Sequence, residues 1–471
     1  MRKLFEKSNY VKHWQLLSVL GITCIIITLC IAVWMILGDY WSWIWIQGNQ
    51  IILLFTFFGF IFICTGWWIF CIRKLISTQG KGNYRYMKIS TAVVMGMIIF
   101  STFYFHEPIN DLTNKPLIVL VGPVPSSTAV ITCYTALPQS NLELQYNLKD
   151  SPMTNQIPDS GDHLYHRFFL TNLQWNATYE YHLIATTTKQ SVPVDLSQTQ
   201  VFKTTPRNSA DGLKFLSTAD IHSAMPPQLA NQIAQMPADV IIEGGDLVDY
   251  GSVDAEWDGY FSSTKPIYSR TNLENPAPLL LPVVGNHDAL FFGKKNFGMF
   301  FSGVGNGSTA PFYYRVDIGD VHFIALDLEW GLESFSEAQE LWLNQTLAGI
   351  NPADWTIVIT HCHIYSSGSF GTFPEVTAKM TPIFKNGNVD LVISGHEHHY
   401  ERLLADGITY IITGTGGLKF DSPKETTCPE SQLYITGQSI FGSYSITNNT
   451  MDFKAYYANG SIADSTTIFS I

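Results

Sequence analysis

The sequence predicts three membrane-crossing helices, then a small all-β sandwich, then an α/β domain with mixed sheets. Three observations lead there: three long apolar stretches within residues 1–106, six short alternating runs between 117 and 206, and, from residue 212, apolar runs that each end in a polar cluster. Only 14% of the 471 residues are charged against 46% hydrophobic, and the mean hydropathy is +0.10. That balance excludes disordered, collagen-like and disulfide-scaffold classes.

Residues 14–37 form an almost unbroken apolar stretch of 24 residues, residues 51–72 a second of 22, and residues 89–105 a third of 17. A bilayer core needs roughly 17–25 apolar residues in helix. Tryptophans 41, 43, 45, 67 and 68 fit interfacial belts. Basic residues cluster before the first stretch (Arg2, Lys3, Lys7, Lys12) and between the second and third (Arg73, Lys74, Lys81, Arg85, Lys88), whereas the 38–50 loop has none. With positive residues inside, the expectation is a multi-pass membrane protein whose residues 107–471 lie outside the cytoplasm, extracellular or lumenal. Residues 1–106 hold 9 Lys and Arg against 2 Asp and Glu, and the remainder 18 against 37. The large part therefore offers no basic nucleic-acid-binding patch.

Residues 107–116 read as a linker. From Leu117 to Pro206, runs such as Ala129–Tyr134, Leu142–Tyr146, His166–Leu170 and Tyr179–Ile184 alternate between turn-forming clusters, which predicts a β-sandwich. The run Leu170-Thr-Asn-Leu-Gln-Trp-Asn-Ala-Thr-Tyr-Glu-Tyr181 resembles the corner of fibronectin type III domains, with Trp175-Asn176 replacing the usual Pro-Gly or Pro-Asn.

From Gly212, apolar runs end at Asp220-Ile-His222, Gly245-Asp246, Gly285-Asn-His-Asp288, His361 and Gly395-His396-Glu-His398. Placing chemistry at strand C-termini is what an α/β sheet with exposed crossover loops provides. Ser336-Glu-Ala-Gln339 matches a helix capping box, and residues 437–468 return to alternating strands. Carboxylate and amide oxygens mixed with imidazoles suit borderline first-row metals, and the scarcity of thiols argues against a structural zinc knuckle. Outside the apolar stretches only Cys133, Cys362 and Cys428 remain, too few for a disulfide framework. Five glycosylation sequons, at Asn176, Asn306, Asn344, Asn448 and Asn459, are near the number chance gives.

The ordered set D-x-H, G-D, G-N-H-[DE], H and G-H-x-H, together with Gly395-His-Glu-His-His-Tyr-Glu-Arg402, Val321–Asp327 and Gln339–Leu343, resembles the calcineurin-like metallophosphoesterases and, within them, the purple acid phosphatases. The likeness covers about residues 117–471, with a sandwich over 117–206 and a metallophosphoesterase domain of layered αββα form over 212–471. It implies two metal ions, iron plus a divalent Fe, Zn or Mn. Asp220, His222, Asp246 and His398 would bind the first, Asp246, Asn286, His361 and His396 the second, with Asp246 bridging. A water shared by two cations ionises near neutral pH and becomes the nucleophile. His287 would donate a hydrogen bond or proton to the phosphate or leaving group, or else pack behind the metals, and Asp288 would orient it. His363 is a candidate for lining the substrate pocket.

One departure stands out. The purple enzymes have G-D-x-x-Y with a metal-binding Tyr, whereas here Asp249 holds that spacing and Tyr250 follows. His222 would supply the missing ligand, and Asp249 reads as ligand, as His-orienting group or as a solvated loop residue. Cys362 reads as a bystander rather than a soft-metal ligand, and Arg402 as a carboxylate partner rather than a phosphate clamp. The implied activity is hydrolysis of phosphate monoesters, with phosphodiesters as the enzymatic alternative and a non-catalytic surface receptor on a phosphatase-like scaffold as the other.

Overall fold

The computed structural model describes residues 116–470 apart from 125–127, 140–141, 160–162, 186–193, 196–198, 302–311 and 423–426. All of these belong to one compact unit, Thr113–Ile471. Its first part is built from β1 (Pro116–Val124), β2 (Thr128–Gln139), β3 (Leu142–Leu148), β4 (Asn155–Asp159), β5 (His163–Leu170), β6 (Thr178–Ala185), β7 (Val194–Asp195) and β8 (Gln200–Lys203). They form two antiparallel sheets, β1-β2-β5 and β4-β3-β6-β7 with β8 also on β6. Period-two alternation turns Ala129, Ile131, Leu144, Phe168, Tyr181 and Leu183 into a shared core. Leu279 of the following domain joins that core, and β8 exchanges backbone bonds with Arg270 and Ala277, so the two parts meet along a continuous packed seam.

The second part carries β9 (Leu213–Thr218), α1 (Pro227–Gln235), β10 (Val240–Glu243), α2 (Asp254–Tyr268), β11 (Leu279–Pro282), α3 (Asn286–Ala289) and α4 (Lys294–Phe301). Then come β12 (Tyr314–Ile318), β13 (Val321–Ala325), α5 (Glu337–Ala348), β14 (Trp355–Ile359), α6 (Pro374–Asn386), β15 (Leu391–Ser394), β16 (Tyr400–Ala405) and β17 (Ile408–Thr413). The strands β18 (Ser431–Ile435), β19 (Ile440–Thr447), β20 (Thr450–Tyr457) and β21 (Ile462–Phe469) finish the chain. Two mixed sheets result, β11-β10-β9-β19-β20-β21 and β12-β13-β14-β15-β17-β16-β18. Phe215, Ile242, Phe323, Ile357, Ile393 and Tyr444 bury their side chains between the sheets. The opposite faces, Leu216, Ile241 and Leu280 on one side and Val358, Val392 and Ile412 on the other, pack under helices. The Ser336 hydroxyl accepts from Gln339 N at 3.2 Å and caps α5, while the Gln339 amide turns inward onto Asp327.

The expected three-helix membrane region and the multi-pass location are corrected here. Among the described residues no helix is long and apolar enough to cross a membrane. The longest, α2, has 15 residues, with charged residues and Pro266 along it, short of the roughly 20 a span requires. The stretches 14–37, 51–72 and 89–105 and all of the expected 107–116 linker but Pro116, which opens β1, lie outside the described residues, and the membrane-embedded and extracytoplasmic placement that rested on them falls with that expectation.

Candidate metal centre

β11-β10-β9 and β13-β14-β15 run parallel within their two sheets, and the loops at their C-terminal ends meet, as His396 N on Asp220 and His361 on Asn286 show. Each delivers part of the constellation: Asp220 and His222 after β9, Asp246 after β10, Asn286 and His287 after β11, His361 after β14, and His396 and His398 after β15. The backbone is strained where they emerge. Thirteen described non-glycine residues have positive φ; six are Asn or Asp away from the site, while Asp220 (58°), His222 (50°), Ser223 (66°), Asp246 (51°) and His396 (72°) are at it. Such conformations cost of order 1–3 kcal/mol each and persist where surrounding contacts fix them. Those contacts are visible: the Asp220 carboxylate accepts His396 N at 2.9 Å, His222 N bonds Asp246 O at 3.0 Å, and Asp246 Oδ1 accepts His287 N at 2.8 Å. Gly285 is required, because a Cβ there would lie 2.2 Å from Asp246 N.

Two groups of donors meet at Asp246. In the first, His222 Nε2 and His398 Nε2 face each other at 3.0 Å, with Asp220 Oδ1 3.5 Å from His398 and Asp246 Oδ2 3.9 Å from His222. In the second, Asn286 Oδ1 lies 3.0 Å from His361 Nε2 and 2.9 Å from His396 Nδ1, with Asp246 Oδ1 3.4 Å from His361. The structure thus brings together all seven residues expected to hold metal, with Asp246 between the groups.

The side chains fit a pair of cations. Imidazole nitrogens and carboxylate and amide oxygens converge: the Nε2 atoms of His222, His361 and His398 and the Nδ1 of His396 all face oxygens or one another across the site, a mixed N/O donor set of the kind borderline first-row cations take. Burial alone would lower His361, but the Asp246 carboxylate, joined by Asp220 and the Gly244 carbonyl, offsets it and raises the ring to about 10, as expected beside buried negative charge. Burial likewise opposes ionisation of Asp246, and His361 beside it holds that carboxyl well below its usual range.

His222 Nδ1 and Asp249 Oδ1 are 2.7 Å apart. Asp249, 5% exposed and also bonded to Lys419, is therefore a His-orienting group rather than a solvated loop residue. It fixes the tautomer by accepting a hydrogen bond from Nδ1–H, which leaves the Nε2 lone pair for the centre. Tyr250 points elsewhere and stacks on Phe291 at 5.9 Å. The His287 ring is oriented by the Asp249 backbone carbonyl, which accepts from Nδ1 at 2.9 Å, and its side chain is 32% exposed.

Two expectations need correcting. Asp288 does not orient His287: its buried carboxylate accepts from the amides of Leu247, Val248 and Gly285 at 2.9, 3.1 and 2.9 Å, knitting the β10 and β11 loops together. His363 does not line a pocket, because it is fully buried behind His396 and Phe373 and burial pushes it down to about 4. Cys362 is buried and raised to about 12, chiefly by burial, as a bystander would be. Arg402 pairs with Asp464 at 2.6 Å. Sequence reasoning passed over Lys419, Asp421, whose carboxylate accepts His398 N at 2.6 Å, and Trp330, whose ring meets His396 edge-on at 4.6 Å.

Residues 213–400 match the family model described as calcineurin-like phosphoesterase. That match spans the elements that deliver every residue of the site. It is 26% identical over 262 residues to purple acid phosphatase 22 of Arabidopsis thaliana, covering 51% of this chain and 58% of that protein. It is 32% identical over 112 residues to purple acid phosphatase 7 of the same plant, covering 23% and 34%. The chain thus spans less than two thirds of the length of these relatives. The solved purple acid phosphatase PPD1 from yellow lupin (Lupinus luteus) seeds superposes with a TM-score of 0.64 at 17% identity, covering 76% of this chain and 74% of that one, a likeness of fold.

Proposed function

We propose that the chain hydrolyses phosphate monoesters at a dinuclear metal centre. The observation that carries this is the convergence of Asp220, His222, Asn286, His361, His396 and His398 on Asp246. A scaffold freed from catalysis has no use for the strained backbone and complete donor set seen here, which speaks against the receptor reading. When bound, the metal pair supplies Lewis-acid charge for the phosphoryl oxygens and activates water.

The chain's own residues do the rest. Asp249 holds His222 in one tautomer, Asp220 ties the β15 loop to the β9 loop through His396 N, and Asp288 locks the β10 loop. His287 sits at the open side with Nδ1 anchored, so its Nε2 is the atom that hands a proton to the departing oxygen. We also read residues 117–206 as a fibronectin type III-like sandwich: the Tyr179 hydroxyl accepts from Gln174 N at 2.9 Å and closes the corner whose sequence carries that likeness.

The test is hydrolysis of a panel of phosphomonoesters, phosphodiesters and pyrophosphates by the purified protein, before and after chelation and reloading with Zn, Mn or Fe. Metal-dependent turnover favouring monoesters is expected. Preference for diesters would move the chain to the alternative substrate class, and no turnover with any metal would overturn the proposal.

A further inference from the structure

Several large apolar side chains at the protein surface stand on the loops that build the centre, among them Phe291, Phe292, Trp330, Phe370 and Leu418. Two of them touch a ligand residue. Trp330 meets His396 edge-on at 4.6 Å and 88°, Phe370 stacks on it at 5.1 Å and 19°, and the two rings meet each other at 5.1 Å and 73°. They form a corner of two walls, one parallel to the His396 ring and one perpendicular. His396 is itself 4% exposed, whereas Trp330 and Phe370 remain 41% and 46% exposed. Shielding the imidazole therefore uses only part of each ring, and the rest of each is exposed beside a residue of the centre.

The corner is held rigidly. Glu397, which lies between His396 and His398 in the chain, accepts Phe370 N and Gly371 N at 2.8 and 3.0 Å and the Ser369 hydroxyl at 3.1 Å. Trp330 is flanked by Glu329 N bonded to Ser334 at 3.0 Å and Gly331 N bonded to Cys362 Sγ at 3.3 Å. Lys294 clamps the preceding carboxylates, 2.9 Å from Asp327 and paired with Glu329. An exposed aromatic wall fixed in advance binds a planar ring without an ordering cost.

We propose that Trp330 and Phe370 form a subsite for an aromatic leaving group, so that the preferred esters are aryl phosphates over alkyl phosphates. This rests on the phosphatase reading and narrows it. A stacked or edge-on aromatic pair contributes roughly two- to ten-fold in affinity, and two walls place the expected preference near the upper figure.

The test is calorimetric titration of the metal-loaded full chain with benzylphosphonate and ethylphosphonate, which are not hydrolysed, alongside KM and kcat for phenyl and ethyl phosphate. Benzylphosphonate is expected to bind about ten-fold tighter in the wild type. Trp330→Leu and Phe370→Leu, which keep an apolar cover over His396, should each cut that ratio to about two- to three-fold at unchanged metal content, with the loss appearing in KM for phenyl phosphate. Equal binding of the two phosphonates by the wild type, or an undiminished ratio in both variants, would overturn the subsite while leaving the phosphatase reading intact. Failure to bind either phosphonate or to hydrolyse either ester would sink both.

Discussion

Removing the Asp249 carboxylate probes the link between a non-ligand side chain and the first metal position. In Asp249→Ala the His222 Nδ1 proton loses its acceptor at 2.7 Å, inside a site where both groups are nearly buried. A buried charge-assisted hydrogen bond contributes about 1.5–3 kcal/mol, which corresponds to roughly 10- to 150-fold in affinity and agrees with the roughly 10- to 100-fold seen when outer partners of ligating histidines are removed. The ring also becomes free to present the wrong tautomer. Asp249→Asn keeps an acceptor oxygen without the charge and should fall between. The assay is competitive titration of the apo protein with zinc against a chelator of known affinity, resolving two binding steps. One step should weaken by about one to two orders of magnitude in Asp249→Ala, while the step governed by Asn286, His361 and His396 stays in place. Two steps of wild-type affinity would show that Asp249 has no hold on the metal and that its bond to His222 is incidental.

Three further outcomes are expected. His287→Ala should keep both metals yet lower turnover by about 10²–10⁴-fold, most for esters with poor leaving groups; loss of metal would remove the division of roles between His287 and the ligands. The iron-loaded protein should lack a strong visible absorption band, and Tyr250→Phe, which alters a ring stacked on Phe291, should change neither spectrum nor metal content; a band that disappears in Tyr250→Phe would mean a tyrosine ligand after all. Glu243 is fully buried and raised from 4.5 to about 7, burial outweighing the hydrogen bonds from Tyr260 and Tyr268. Its folded state holds the proton more tightly than the unfolded chain, so this contribution to stability is full below about pH 4.5 and lost as pH rises to about 7, at most roughly 3 kcal/mol. Glu243→Gln should flatten that part of the urea-unfolding profile, and superimposable profiles would contradict it.

The ligand residues were legible because each follows an apolar run that can only be a buried strand, so position along the chain stood in for position in space. Pairing of those strand ends across two sheets then placed Asp220 beside His396, 176 residues away in sequence. Asp288 was misread for a physical reason: adjacency to His287 suggested partnership, but its carboxylate is consumed by backbone amides of the loop opposite. His363 was misread because proximity to a ligand in sequence says nothing of which side of the loop it faces. Trp330, Phe370 and Lys419 were passed over because they come from separate loops and meet the centre only through tertiary packing, with no spacing to announce them. The apolar stretches before residue 106, with their flanking tryptophans and basic residues, invited a membrane reading, and no described helix supports it.

Hydrolysis at this centre requires Asp246 to hold two cations at once. Elemental analysis of the metal-loaded wild type and of Asp246→Asn, with phosphomonoester turnover measured on the same samples, addresses it directly. Asn keeps the size of the side chain but removes the charge shared between the two groups of donors. The wild type should carry about two metal ions per chain, and Asp246→Asn should carry fewer and lose activity in proportion. Undiminished turnover in metal-free protein, or two metals retained in Asp246→Asn, would contradict the account.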